Sequence, residues 1–180
     1  PRRAAAVPAP AGPATQAAAA ADASIGLQRT VTHRLHTLQK LTDKVSQLSY
    51  LAEAGLPHGE GRCLAAIGAF APPSINELAR FANLDKSQAS RSAQALVERG
   101  LVRKVPSPLD GRGVVLQLSK AGERVWQRVM AMIEARNAQI VACLDDAEWA
   151  QLDHLLDRLV AHARDTLAAD ERADERNAGG

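Results

Sequence analysis

Aromatic side chains are scarce in this chain: two Phe, two Trp and one Tyr make up 3% of its 180 residues. Proteins that bind single strands by stacking bases on exposed rings need more of them. Cysteine is scarcer still, with only Cys63 and Cys143. Two thiols so far apart supply neither a disulfide framework nor a zinc cluster, so no oxidising compartment is required and a cytoplasmic location is expected. No run approaches the ~18 uncharged apolar residues of a membrane-spanning helix, so no membrane partner is expected. No Ser/His/Asp set or carboxylate pair has a supporting motif, and the glycine pairs at 59/61 and 111/113 are too short to cradle phosphate. Neither an enzyme nor a cofactor or metal site is expected.

Net charge is also small, +2 at pH 7, but it is segregated. Residues 85–144 carry ten Lys/Arg against five Asp/Glu, whereas residues 145–180 carry four against ten. A basic centre beside an acidic end can steer a polyanion to one face, although solvated helix faces of differing sign would look the same.

Residues 1–21 contain eleven Ala and four Pro, a composition that buries no core and reads as a disordered arm. Its prolines interrupt the apolar segment that an export signal after Arg2 and Arg3 would need. The terminal ADERADERNAGG is polar and reads as a flexible tail. Between these ends the periodicity is helical. Val31, Leu35, Leu38, Leu41, Val45, Leu48 and Ala52 form one apolar stripe, broken by Gly55 and Pro57. A second helix over about 59–70 carries Cys63, Leu64, Ile67 and Phe70. Helices over 119–144 and about 146–168 follow, the last with Trp149, Leu152, Leu155, Leu156, Leu159, Val160 and Leu167. These terminal stripes exceed what a small interior needs. They predict an intertwined homodimer burying at least ~2,000 Å², with a monomeric bundle as the alternative.

The informative stretch is 74–119. Ser74 and Glu77 have capping-box spacing, and Ile75, Leu78, Ala79 and Ala82 face inward on a short helix. Asn83-Leu84-Asp85 makes a tight turn; Asp85 starts a second helix, and Gly100 ends it as a left-handed residue. Two helices joined this way form a helix-turn-helix, whose second helix enters the DNA major groove. Arg91 can reach guanine O6/N7, and Gln88 or Gln94 adenine N6/N7. Ser87 and Ser90 are short enough to permit close approach and can bond phosphates. Residues 101–105 and 114–118 alternate as paired strands around a Pro/Gly loop, a wing with Arg112 near its tip. Arg112 can enter a narrow minor groove with Asp110 holding its guanidinium, or the two can form an ordinary surface ion pair. Lys86, Arg103 and Lys104 are placed to meet the DNA backbone.

In DKSQASRSAQALVERGLV, the pattern Asp110-x-Arg112-x-x-Val115-x-x-Leu118-Ser119 and Lys120-Ala121-Gly122, the chain resembles the MarR family of bacterial transcriptional regulators over about residues 25–168. The resemblance implies a mainly α fold with a β wing. Residues 24–56 and 120–169 would be dimerisation helices and 57–119 a winged helix-turn-helix, between an arm at 1–23 and a tail at 170–180. It implies a homodimer on a pseudo-palindromic duplex operator, with Ser87, Gln88, Ser90, Arg91 and Gln94 in the major groove and Arg112 in the minor groove. It further implies a repressor released by a small phenolic or aromatic-carboxylate effector.

His33, His36, His58 and Arg62 are candidates for that effector; polar helix-face residues explain the first two as well. His154 with Asp153 and Asp157 fits an acidic helix face better than a metal site. Both cysteines read as small core residues, and none lies near the start of the first helix, where oxidant-sensing members carry theirs. Two other functions would use the same shell: an architectural protein that coats DNA without an effector, or an interaction module that has lost DNA binding.

Overall fold

The computed structural model describes residues 26–70, 72–107 and 113–178. Helix α1 (Val31–Ser49) starts at Thr30, whose hydroxyl accepts from the His33 N–H at 3.4 Å, and runs into a widened π-helical turn, Tyr50–Ala54. Tyr50 is buried in that turn. Gly55 ends it at φ 65, a conformation that favours glycine. Then come α2 (His58–Ala69), α3 (Ile75–Phe81), α4 (Lys86–Glu98), β1 (Val102–Pro106), β2 (Val114–Leu118), α5 (Lys120–Val141) and α6 (Asp146–Ala178).

The core lies where α2, α4 and the two strands meet α5. Leu56, Cys63, Leu64, Leu78, Ala89, Ala93, Leu96, Val102, Leu116 and Val129 are all buried there. The antiparallel strands pair Val102 with Leu118 and Lys104 with Leu116. The Leu116 N–H also donates to the Pro73 carbonyl at 2.9 Å, which ties the wing to the entry of α3. Trp126 of α5 donates from its indole N–H to the Ala65 carbonyl at 3.3 Å, and Gly68 leaves room for its ring.

The terminal helices leave their apolar stripes uncovered, as expected, and two other expectations need adjustment. The stripe on α1 finds no core in the single chain: Leu41 is 64% and Leu48 65% exposed. On α6 every residue from 146 to 172 is exposed, Leu159 and Leu167 included. Helix α6 also runs to Ala178, through most of the stretch read as a flexible tail; its Ala, Glu and Arg are strong helix formers, and no Gly or Pro interrupts them. Cys63 is buried as expected, but Cys143, just past the end of α5, is exposed and not a core residue. Residues 1–23 lie outside the described residues.

The junction between α4, the wing and α5 is tight. Ser119 caps α5 by accepting from the Gly122 N–H at 3.0 Å, and its own N–H donates to the Leu101 carbonyl at 2.9 Å. A side chain at 122 would collide with that same carbonyl oxygen. We expect Gly122→Ala to lower stability by ~1–3 kcal/mol, read as a lower urea midpoint with an unchanged slope. A midpoint equal to that of the parent would refute this close approach.

Candidate nucleic-acid interface

The capping box forms as the spacing requires. Ser74 donates to the Glu77 carboxylate at 2.8 Å from both its N–H and its hydroxyl, and the Glu77 N–H donates back to the Ser74 hydroxyl at 3.3 Å. These bonds, the backbone N–H foremost, hold the Glu77 carboxyl below its usual range. The turn into α4 is made by Asn83 at φ 50, a left-handed conformation that Asn tolerates better than most residues. Asp85 caps α4 by accepting from the Gln88 N–H at 2.7 Å.

Helix α4 is two-faced. Ala89, Ala93 and Leu96 are buried against the core, while Lys86, Ser87, Gln88, Ser90, Arg91 and Gln94 are all exposed. The five residues expected in the major groove thus share the outer side of one helix. Arg91 donates to the Ser87 hydroxyl at 2.6 Å, and Gln94 donates to Glu98 at 3.0 Å. Lys104, exposed on β1, donates to Gln94 Oε1 at 2.8 Å, so the wing strand is linked to α4. Arg103 is exposed beside it. Asp110 and Arg112 lie outside the described residues. Glu98 was missed from sequence; its i,i+4 spacing to Gln94 was the available signal.

The four effector candidates separate. His33 lines a groove along α1 with Arg34 and Leu38. His36 faces a hollow shared with Lys40, Asp43 and His58. His58 and Arg62 together line a cleft of about 410 Å³ between α1, α2 and α5, with Tyr50, Met132, Ile133 and Arg136. Burial holds the His58 imidazole below its usual value; Asp43 opposes this shift and Arg62 reinforces it. Burial also raises the Tyr50 phenol, against the pull of Arg62. Tyr50, Arg136 and Asn137 were missed, because only the packing of α5 on α1 and α2 brings them to the cleft. Among the described residues no group of three or more His, Cys, Asp or Glu could hold a metal, and no helix is long and apolar enough to cross a membrane.

Residues 54–113 match the MarR family model. The HTH-type transcriptional regulator BilQ of Clostridium symbiosum (strain WAL-14163) is 27% identical over 86 residues, covering 48% of this chain and 60% of BilQ, less than two thirds of its length. The multiple antibiotic resistance protein MarR of Escherichia coli (strain K12) is 23% identical over 127 residues, covering 70% of this chain and 88% of that protein. Among solved structures, the PcaV transcriptional regulator from Streptomyces coelicolor, in complex with its natural ligand, is similar with a TM-score of 0.60 and 26% identity, covering 76% of this chain and 96% of PcaV. The family match runs from the last turn before α2 into the wing, the part that folds here as a helix-turn-helix, and over that third of its length the chain is similar to the MarR family of transcription regulators.

Proposed function

We propose that this protein is a repressor that binds a pseudo-palindromic operator as a homodimer and is released by a small aromatic acid. The observation that carries the DNA-binding part is the outer side of α4: Ser87, Gln88, Ser90, Arg91 and Gln94 are all exposed above a buried row of alanine and leucine. In this reading those five side chains meet base edges in the major groove and Lys86, Arg103 and Lys104 meet phosphates. Arg112, with Asp110 beside it in sequence, enters the minor groove.

Arg91→Ala should cost ~1–3 kcal/mol of operator binding and relax the base preference at one position. Arg112→Ala should weaken binding and flatten its salt dependence. Both are read by fluorescence anisotropy on a duplex selected from a random-sequence pool, against random duplex as competitor. Two variants that bind like the parent would show that another face meets DNA. Indifference to sequence would favour an architectural protein that coats DNA.

The exposed stripes on α1 and α6 support the homodimer, since apolar rows of that length on two helices are costly to leave in water. Sedimentation equilibrium at micromolar concentration should give the mass of two chains. A mass of one chain would remove the dimer from the proposal.

The cleft between α1, α2 and α5 supports the effector part. Its volume lies within the range of small-molecule sites, and it combines two arginines with apolar side chains. PcaV, with the same fold, was solved with its natural ligand. Benzoate or a hydroxylated relative at ~100 times its Kd should stabilise the fold by ~2.7 kcal/mol in a thermal-shift assay. Burial disfavours the charged form of the His58 imidazole and a carboxylate bound beside it favours that form, so binding is expected to take up a proton and to tighten as pH falls through the imidazole range. An aromatic-acid series with no thermal shift would count against this effector class.

A further inference from the structure

Arg62 faces two regions of the molecule. Its Nη2 donates to the Asn83 carbonyl at 3.0 Å, and Asn83 is the left-handed residue of the turn between α3 and α4. The same side chain lines the cleft between α1, α2 and α5, and a smaller one, of about 320 Å³, against Gln88 and Arg91. Helix α2 also holds α4 at two further points. Glu60 pairs with Arg99, at the end of α4, at 2.9 Å. Gly59 comes so close to α4 that a Cβ there would stand 3.1 Å from the Ser92 hydroxyl. The recognition helix is thus fixed from one helix at the turn before it, near its middle and at its end. Of these three contacts, the turn contact comes from a side chain that also lines the α1/α5 cleft.

We propose that Arg62 is a positioning residue for DNA reading: it holds the turn and the first residues of α4 against α2 without touching DNA, and an organic anion in the cleft acts on the same guanidinium. A guanidinium has five N–H donors in one plane, so the bond to Asn83 leaves room for a carboxylate on the cleft side. Binding that carboxylate as a fork fixes the plane of the group. Any rotation needed to do so draws Nη2 from the Asn83 carbonyl and loosens the turn. The positioning role stands on the bond geometry alone, whereas the anion's action rests on the effector reading above.

The test uses the full chain as Arg62→Gln, with Arg62→Lys as the milder variant should the first fold poorly. Hydrogen exchange across residues 82–86 and anisotropy on the selected duplex are measured without any effector. We expect exchange in the turn and the duplex Kd each to rise about tenfold, the size expected for losing one charge-assisted hydrogen bond. The slope of log K against log salt should stay that of the parent, because no phosphate contact has been removed. A slope smaller by ~0.9 would mean that Arg62 contacts the DNA backbone, and would overturn the proposal. Parental exchange and affinity would also overturn it.

A third measurement adds benzoate at a concentration that calorimetry shows to saturate each protein. Benzoate should weaken duplex binding by the parent, and the weakening should shrink toward onefold in Arg62→Lys. An undiminished effect at saturation would overturn the coupling through Arg62. A parent indifferent to benzoate, with the variant's turn still loosened, would sink the effector reading and leave the positioning role intact.

Discussion

Ala89, Ala93 and Ser92 let α4 lie close to α2, and that approach governs most of what the fold does. Larger residues at 89 or 93 would lift α4 from Cys63 and Leu64, which are fully buried beneath it. Small residues on the inner side cannot by themselves fix the helix's rotation, since Ala offers few distinctive contacts. Polar contacts at the edges supply that constraint: Arg62 to Asn83, Glu60 to Arg99, and Ser92 to the Cys63 thiol. Burial pushes that thiol up to about 11, against the pull of its Ser92 hydrogen bond, so Cys63 packs as a small apolar residue with little thiolate character.

The outer side of α4 is connected but not rigid. Arg91 leans on Ser87, and Gln94 is held by Glu98 and Lys104. All of these side chains are exposed, so each contact is worth no more than ~1 kcal/mol and gives way readily to a stronger partner. A base edge or phosphate can therefore take over these donors at small cost, while the contacts already keep the side chains near their working positions. Lys104 has a further effect. By reaching Gln94 it links the wing strand to the outer side of α4, a tie that yields as readily as the others.

What could be read from the sequence was local chemistry. The Ser74/Glu77 box, the Asp85 cap and the left-handed Gly100 depend on residues within one or two turns of each other, and all formed at the expected spacing. Contacts between distant segments left no such trace. Arg62 and Asn83 are 21 positions apart and Trp126 is 61 from Ala65; neither pair has a spacing that singles it out. The histidines illustrate the same limit. His33 and His36 are one turn apart on α1, yet only His36 shares a hollow with His58. Cys143 sits beside Leu144 in sequence but just beyond the end of α5, where no other element among the described residues covers it.

The proposed release from DNA needs only a modest energy difference. A hundredfold loss of affinity corresponds to ~2.7 kcal/mol, divided between two chains if the operator is held by a dimer. One hydrogen bond from a half-buried guanidinium to an exposed carbonyl is worth ~0.5–1.5 kcal/mol. The Arg62–Asn83 bond is of that kind, so disturbing it once in each chain is enough without unfolding any element. A larger rearrangement would have to break the packing of Ala89 and Ala93 on α2, which involves the whole core. The cheaper route runs through the turn, where a single carbonyl meets a side chain that also lines the cleft.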